Sequence, residues 1–186
     1  MGQIIFDAAC TLNGFLANEQ HSLQWLFEVP GAGEPDPSLF PSHAAVHVEG
    51  ANTYLWVLEH EDLLDQPQRW QELYGNKPTF VFTSRDLPIP RGADVRLVSG
   101  AVADALPGIR EAAGDGDIWV LGGGELVGQF IDARALDRLA LTIAPATLRG
   151  GAPVLPRNIG ADQLQLVHAA QTGPFARLVY EVGFPG

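Results

Sequence analysis

The stretch Ile118-Trp119-Val120-Leu121-Gly122-Gly123-Gly124-Glu125-Leu126-Val127-Gly128-Gln129-Phe130 reads as a short buried strand, three consecutive glycines and then a helix. Glycine at a strand's end lets the backbone approach a ligand with no Cβ in the way. The helix that follows offers unpaired N–H groups and the positive end of its dipole, which together suit phosphate. The run is not the G-x-G-x-x-G dinucleotide fingerprint, because Val127 stands where the third glycine belongs. Nor is it a P-loop, since no Gly-Lys-Ser/Thr follows. Taken alone, it reads equally as a tight structural turn or as a phosphate cradle.

The segments on either side supply a context. Ile4 to Cys10 is an apolar run suited to a central strand, and Asn13-Gly14 marks a turn. The chain is expected to stay irregular from Pro30 to Pro41. Ala44 to Val48 reads as a second strand ending at Gly50, with Asn52 as cap of a helix carrying Leu55, Trp56 and Leu58. A short helix is expected from Pro67 to Tyr74 and strands at Thr79–Thr83 and Val95–Val98. A helix around Ala101 to Ala112 precedes the glycine run. Strands at Leu139–Ile143, Leu164–Ala169 and Arg177–Val182 close the chain. Strands alternating with helices, then a strand-rich final third, predict a mostly parallel sheet covered on both faces with antiparallel strands at one edge. In such a sheet the strand-to-helix turns at Gly50, Ser84 and Gly122 are expected to gather near the carboxyl edge, where ligands bind.

Composition narrows the function. With 186 residues, 22 acidic against 11 basic and a formal net charge of −11, the chain fits a single domain over residues 1–186 and lacks the basic face that nucleic acid requires. An anionic ligand must be held by local devices instead. The one cysteine, Cys10, lies in an apolar run and reads as a buried thiol, which excludes a disulfide framework. No basic leader or long apolar segment is present, so a cytoplasmic protein with no membrane contact is expected. The histidines at 21, 43, 47, 60 and 168 show no paired ligand spacing once His43 and His47 straddle a strand, so no metal is expected. No G-x-S-x-G elbow exists for a serine hydrolase.

Two further turns match the glycine run. Gly50-Ala51-Asn52-Thr53 is a second glycine-to-helix junction with a hydroxyl on its first turn. Thr83-Ser84-Arg85 follows a strand with two hydroxyls and a guanidinium, which suits a monoester phosphate. Alone, Arg85 reads as a surface charge paired with Asp86; three matching turns together point to a phosphorylated dinucleotide.

The blocks Thr11 to Ala17 with Trp25, Glu49 to Tyr54, Lys77-Pro78 with Thr83 to Arg85, Val120 to Leu126, Leu141 to Pro145, and Gly150 to Leu155 stand in an order that resembles the RibD C-terminal domain family. This is the reductase domain of the bifunctional deaminase-reductase of riboflavin biosynthesis. The resemblance runs nearly end to end, and no deaminase segment is seen beside it. It implies a three-layer αβα, dihydrofolate reductase-like fold with a mixed eight-stranded sheet, and an NADPH-dependent reductase acting on a small pterin-, pyrimidine- or flavin-like substrate. It also implies that Gly122, Gly123, Gly124, Glu125 and Leu126 hold the pyrophosphate by backbone, with Gly50, Ala51, Asn52 and Thr53 on its other side. Thr83, Ser84 and Arg85 would take the adenosine end and its 2′-phosphate, and Ala9, Leu16 and Ala17 would line the nicotinamide. In this family the protein positions the partners and the cofactor does the chemistry.

Departures accompany the match. Asn13-Gly14 replaces the usual Asp-Gly, and Glu49 replaces a methionine, adding negative charge beside a phosphate site. For the carboxylate that holds the pterin in dihydrofolate reductases, only Glu34 or Asp36 lies in the right region; Asn13 and Thr142 are the other substrate-side candidates. A non-catalytic NADPH-binding protein, or a homodimeric interaction protein using its apolar C-terminal strands, is the alternative from a different class.

Overall fold

The protein's computed structural model describes residues 1–33 and 36–184. In chain order the elements are β1 (Ile4–Thr11), β2 (Phe15–Ala17), α1 (Gln24–Phe27), β3 (Val46–Gly50), α2 (Ala51–His60), α3 (Gln68–Leu73), β4 (Thr79–Phe82) and β5 (Val95–Val98). There follow α4 (Val102–Ala113), β6 (Ile118–Gly122), α5 (Gly124–Asp132), β7 (Arg138–Ala144), β8 (Ala152–Pro153), β9 (Leu164–Thr172) and β10 (Phe175–Val182).

The main sheet has eight strands in the order β5-β4-β3-β6-β1-β7-β10-β9. The first six run parallel, and β10 enters antiparallel between β7 and β9. The predicted three-layer αβα arrangement is the one observed. On one face Ile4, Phe6, Val48 and Val120 pack against Ile109 of α4 and Val127 and Phe130 of α5. On the other, Val81 packs against Tyr54 and Leu58 of α2 and Trp70 of α3. Each fully buried side chain of this size contributes about 1.5–3 kcal/mol, so these two seams hold the helices to the sheet. The outer strand β9 is mostly exposed, with Leu166 and Val167 facing solvent. Among the described residues, no helix is long and apolar enough to cross a membrane.

Several local expectations are corrected. Gly50, not Asn52, is the N-cap of α2, and Asn52 sits within its first turn. The second strand starts at Val46 rather than Ala44 and includes Glu49 and Gly50. No helix follows Ser84: residues 83–94 cross from β4 to β5 as an irregular loop. The small ladder β2–β8, with only 3 and 2 residues in its strands, is too short to leave a periodic signal and was not anticipated.

Candidate functional site

The helices α2 and α5 follow adjacent parallel strands, β3 and β6, so their N-termini open side by side at the same edge of the sheet. Neither helix has a side-chain cap, which leaves the first-turn N–H groups of Ala51, Asn52 and Thr53, and of Gly124, Glu125 and Leu126, to a cleft of about 600 Å³. At this edge Gly122 takes φ +137°, a conformation L side chains rarely adopt, and its peptide bond to Gly123 is cis. Gly123 has nothing within 4 Å of where a Cβ would stand, so its missing side chain leaves the space open. Gly124 differs: a Cβ there would lie 2.1 Å from the carbonyl oxygen of Pro153, so its bareness serves the seating of β8 against α5.

Thr83, Ser84 and Arg85 line the same cleft, as do Leu16 and Ala17 of β2. The Thr83 hydroxyl oxygen accepts from the Arg85 N–H at 2.9 Å, which sets the turn. The Arg85 guanidinium reaches the Asn52 Oδ1 at 3.4 Å rather than Asp86, and so spans from the turn to the start of α2. The structure therefore brings together nearly all the residues singled out from the three turns. Gly122 is not among the residues that line the cleft, and Ala9 lines a second cavity instead. The cleft also contains His21, Leu23, Trp56 and Pro156, which the sequence reading did not place there. Trp56 was legible only as part of an apolar helical face, and such a face does not say which neighbour covers it.

Two acidic residues sit close to these N-termini. Glu125 is held bidentately by Arg157, at 3.0 and 2.7 Å, and Arg157 also grips Asp132. These contacts keep the exposed Glu125 carboxyl below its ordinary range. Its charge is matched by a guanidinium beside the cleft. Glu49 turns away from the cleft and is fully buried, with no hydrogen-bond partner for either carboxylate oxygen among the described residues. Burial pushes it up to about 8; the Tyr74 hydroxyl approaches without hydrogen-bond geometry and lowers the value only in part. Glu49 is thus protonated at neutral pH, and the concern about a negative charge at the cradle is removed.

A second cavity of about 720 Å³ opens on the other side of α1, lined by Ala9, Leu26, Phe27, Asp36, Phe40, Thr142 and Phe175 among others. Leu23, just before α1, faces the first cleft while Leu26 and Phe27 face the second. Phe27 stacks on His60, which in turn stacks on Trp56 of the first cleft, at centroid distances of 5.1 and 4.5 Å. Beneath the second cavity lies a buried ion pair that the sequence did not reveal. Arg177 of β10 donates to Asp7 of β1 through both terminal nitrogens, to the Thr142 hydroxyl oxygen at 3.0 Å and to the Leu39 carbonyl at 2.7 Å. Both ionic side chains are nearly inaccessible. Burial raises the Asp7 carboxyl against the lowering pull of Arg177.

The substrate-side candidates fare differently. Thr142 lies on the second cavity as expected. Asp36 also lines it, but its carboxylate accepts from the Ser38 N–H at 2.9 Å and caps the 3₁₀ turn Pro37–Leu39. That bond holds Asp36 below the usual carboxylate range, so it is an anion and not a proton donor. Asn13 faces neither cavity: its amide pairs with both backbone groups of Leu148, at 2.7 and 3.1 Å, and accepts from Thr11. An aspartate could accept but not donate there, which accounts for Asn in place of Asp. Glu34 lies outside the described residues. Cys10 is buried, and burial pushes its thiol up to about 11, consistent with an inert core residue.

Residues 3–176 match the RibD C-terminal domain family, and the chain belongs to it. Over 172 residues it is 27% identical to the uncharacterized protein YwjB of Bacillus subtilis (strain 168), covering 92% of this chain and 93% of that one. Its fold is similar to a putative riboflavin biosynthesis protein from Shewanella sp. PV-4, with a TM-score of 0.75 at 23% identity over 99% of this chain and 100% of that one. It is also similar to the diaminohydroxyphosphoribosylaminopyrimidine deaminase/5-amino-6-(5-phosphoribosylamino)uracil reductase of Thermotoga maritima. There the TM-score is 0.66 at 16% identity, over 97% of this chain and 56% of that longer one.

Proposed function

We propose that this protein is an NADPH-dependent reductase of a small heterocycle. The observation that carries the reading is the convergence of two uncapped helix N-termini and the Thr83-Ser84-Arg85 turn on one cleft, with a second cavity across α1. The family, and the reductases among its relatives, support it. The first-turn N–H groups of Gly124 to Leu126 and of Ala51 to Thr53 fit a pyrophosphate, because two dipole ends favour the same anion. Arg85, with Ser84 and Thr83, fits the 2′-phosphate. Leu16 and Ala17 give an apolar wall toward the second cavity, where the substrate would lie. When bound, NADPH supplies the hydride. The chain's part is to hold the two rings against each other and keep water out. At the cavity floor Thr142 accepts from Arg177, so its own O–H is left to donate to the substrate.

Titration with NADPH, followed by tryptophan fluorescence, tests the reading, since Trp56 lines the cleft. Quenching that saturates is expected; no binding at millimolar cofactor would end the proposal. Arg85→Ala should weaken NADPH by roughly 10- to 100-fold, the worth of a charge-assisted contact, and NADH far less. Equal losses for the two would show that Arg85 does not read the 2′-phosphate. Binding without oxidation across pterins, pyrimidines and flavins would instead favour a protein that kept the fold without turnover.

A further inference from the structure

The second cavity has a charge pattern that bears on what enters it. Among the described residues its lining has no lysine, arginine or histidine, and Asp36 is the one ionisable group among them. Arg177 bonds two residues of its floor, Thr142 and Leu39, and its terminal nitrogens are already occupied, two bonds on each, by these and Asp7. Its charge is matched by Asp7 at the same place. An incoming phosphate would have to break that buried pair, which leaves Asp7 uncompensated, or stay unpaired near Asp36. What the cavity does offer is aromatic and neutral: Phe27, Phe40 and Phe175 for flat rings, and the hydroxyls of Thr142 and Thr172 for polar edges. The uracil-reductase relative from Thermotoga maritima is named for a phosphoribosylated substrate, so a shared fold leaves this property to be set by the local residues.

We propose that the second cavity binds a flat heterocycle that carries no phosphate or other anionic group, and that Asp36 and the closed Asp7–Arg177 pair are what exclude the charged forms. This rests on the reading of that cavity as the substrate side of a reductase, and goes beyond it by naming the substrate's charge.

The test uses matched pairs that differ only by a phosphate: riboflavin against FMN, and uridine against UMP. Binding is measured by calorimetry on the full chain with saturating NADP⁺, so that a phosphate gains nothing from the first cleft. The neutral member of at least one pair is expected to bind, and at least roughly tenfold more tightly than its phosphate, as like charge and an unpaired buried anion require. Equal or tighter binding of the phosphates overturns the proposal, and so does failure of both neutral compounds to bind. Asp36→Lys should then narrow the gap by at least roughly threefold, since it reverses the one ionised group on the described lining. A gap that Asp36→Lys leaves untouched overturns the assignment to this cavity. NADP⁺ binding is read beforehand through tryptophan fluorescence. If it fails, the cofactor reading falls, and the same pairs compared between the unliganded protein and its Asp36→Lys variant still decide the charge preference, since Asp36 lines the second cavity and not the first cleft.

Discussion

A methyl group on Gly124 would stand 2.1 Å from the Pro153 carbonyl oxygen and 2.8 Å from that of Val154, both backbone atoms with little freedom to move. At Gly123 the same methyl group would meet nothing. Neighbouring glycines that look alike in sequence therefore answer different constraints. Gly124→Ala should cost about 1–3 kcal/mol of stability by forcing β8 off α5, and Gly123→Ala much less. Urea unfolding of the two variants compares them directly, and equal losses would contradict the assignment. The glycine run was legible as a nucleotide-suited turn because it joins a strand to a helix. Which glycine faces the cleft and which faces a neighbouring strand depends on Pro153, nearly thirty residues away in sequence.

Strand β3 places His47 and Glu49 on one face, with Tyr74 packed against the His47 ring at 5.3 Å and a contributor to the shift of Glu49. Burial lowers His47 from 6.5 to about 4 and raises Glu49 from 4.5 to about 8, so both are neutral near pH 6. The signs oppose each other. The folded state holds a proton on Glu49 that the unfolded chain has lost, so this contribution falls as pH rises from 4.5 to about 8. It lacks a proton on His47 that the unfolded chain takes up, so that contribution falls as pH drops from 6.5 to about 4. Between 4.5 and 6.5 these two contributions cancel, and together they should lower stability by about 2 kcal/mol between pH 6.5 and 8. Glu49→Gln should remove the fall above pH 6.5, read from urea midpoints across pH. A fall that persists in the variant would clear Glu49 of the effect. Elements with a clear apolar period were mostly legible, including the 4-residue strands β4 and β5. The helix α1, with 4 residues, and the strand β8, with 2, were not, because each is too short to repeat a period.

Across the whole chain, Asp7 and Arg177 stand 170 positions apart and meet because β7 brings β1 and β10 to its two sides. In the register, Arg177 faces Thr142, which faces Ala9, one side-chain step along β1 from Asp7. Removing one member of such a buried pair strands the other. Arg177→Met should lower stability by about 3–5 kcal/mol, and adding Asp7→Asn should recover part of it by removing the stranded charge. Because the lone Asp7 would then favour its protonated form more strongly, Arg177→Met alone should lose less at acid pH than at neutral pH, a difference that chemical denaturation at two pH values measures. The net charge of −11 gives no hint of this pair, since composition records how many charges there are and not which meet.

The order of apolar runs, the glycines at strand ends and the Thr83-Ser84-Arg85 turn dictated the layered sheet and the three loops at its edge, because periodicity and backbone permissiveness act over a few residues. Assembly of those loops into one cleft, the quiet protonation of Glu49 and the floor of the second cavity arose from strand order, which joins groups far apart in the chain. The cleft and the burial of Glu49 exist once β4, β3 and β6 lie side by side, and the floor of the second cavity once β1, β7 and β10 do. The cap at Asp36, by contrast, is a contact of two residues' reach that the tertiary structure placed at the cavity.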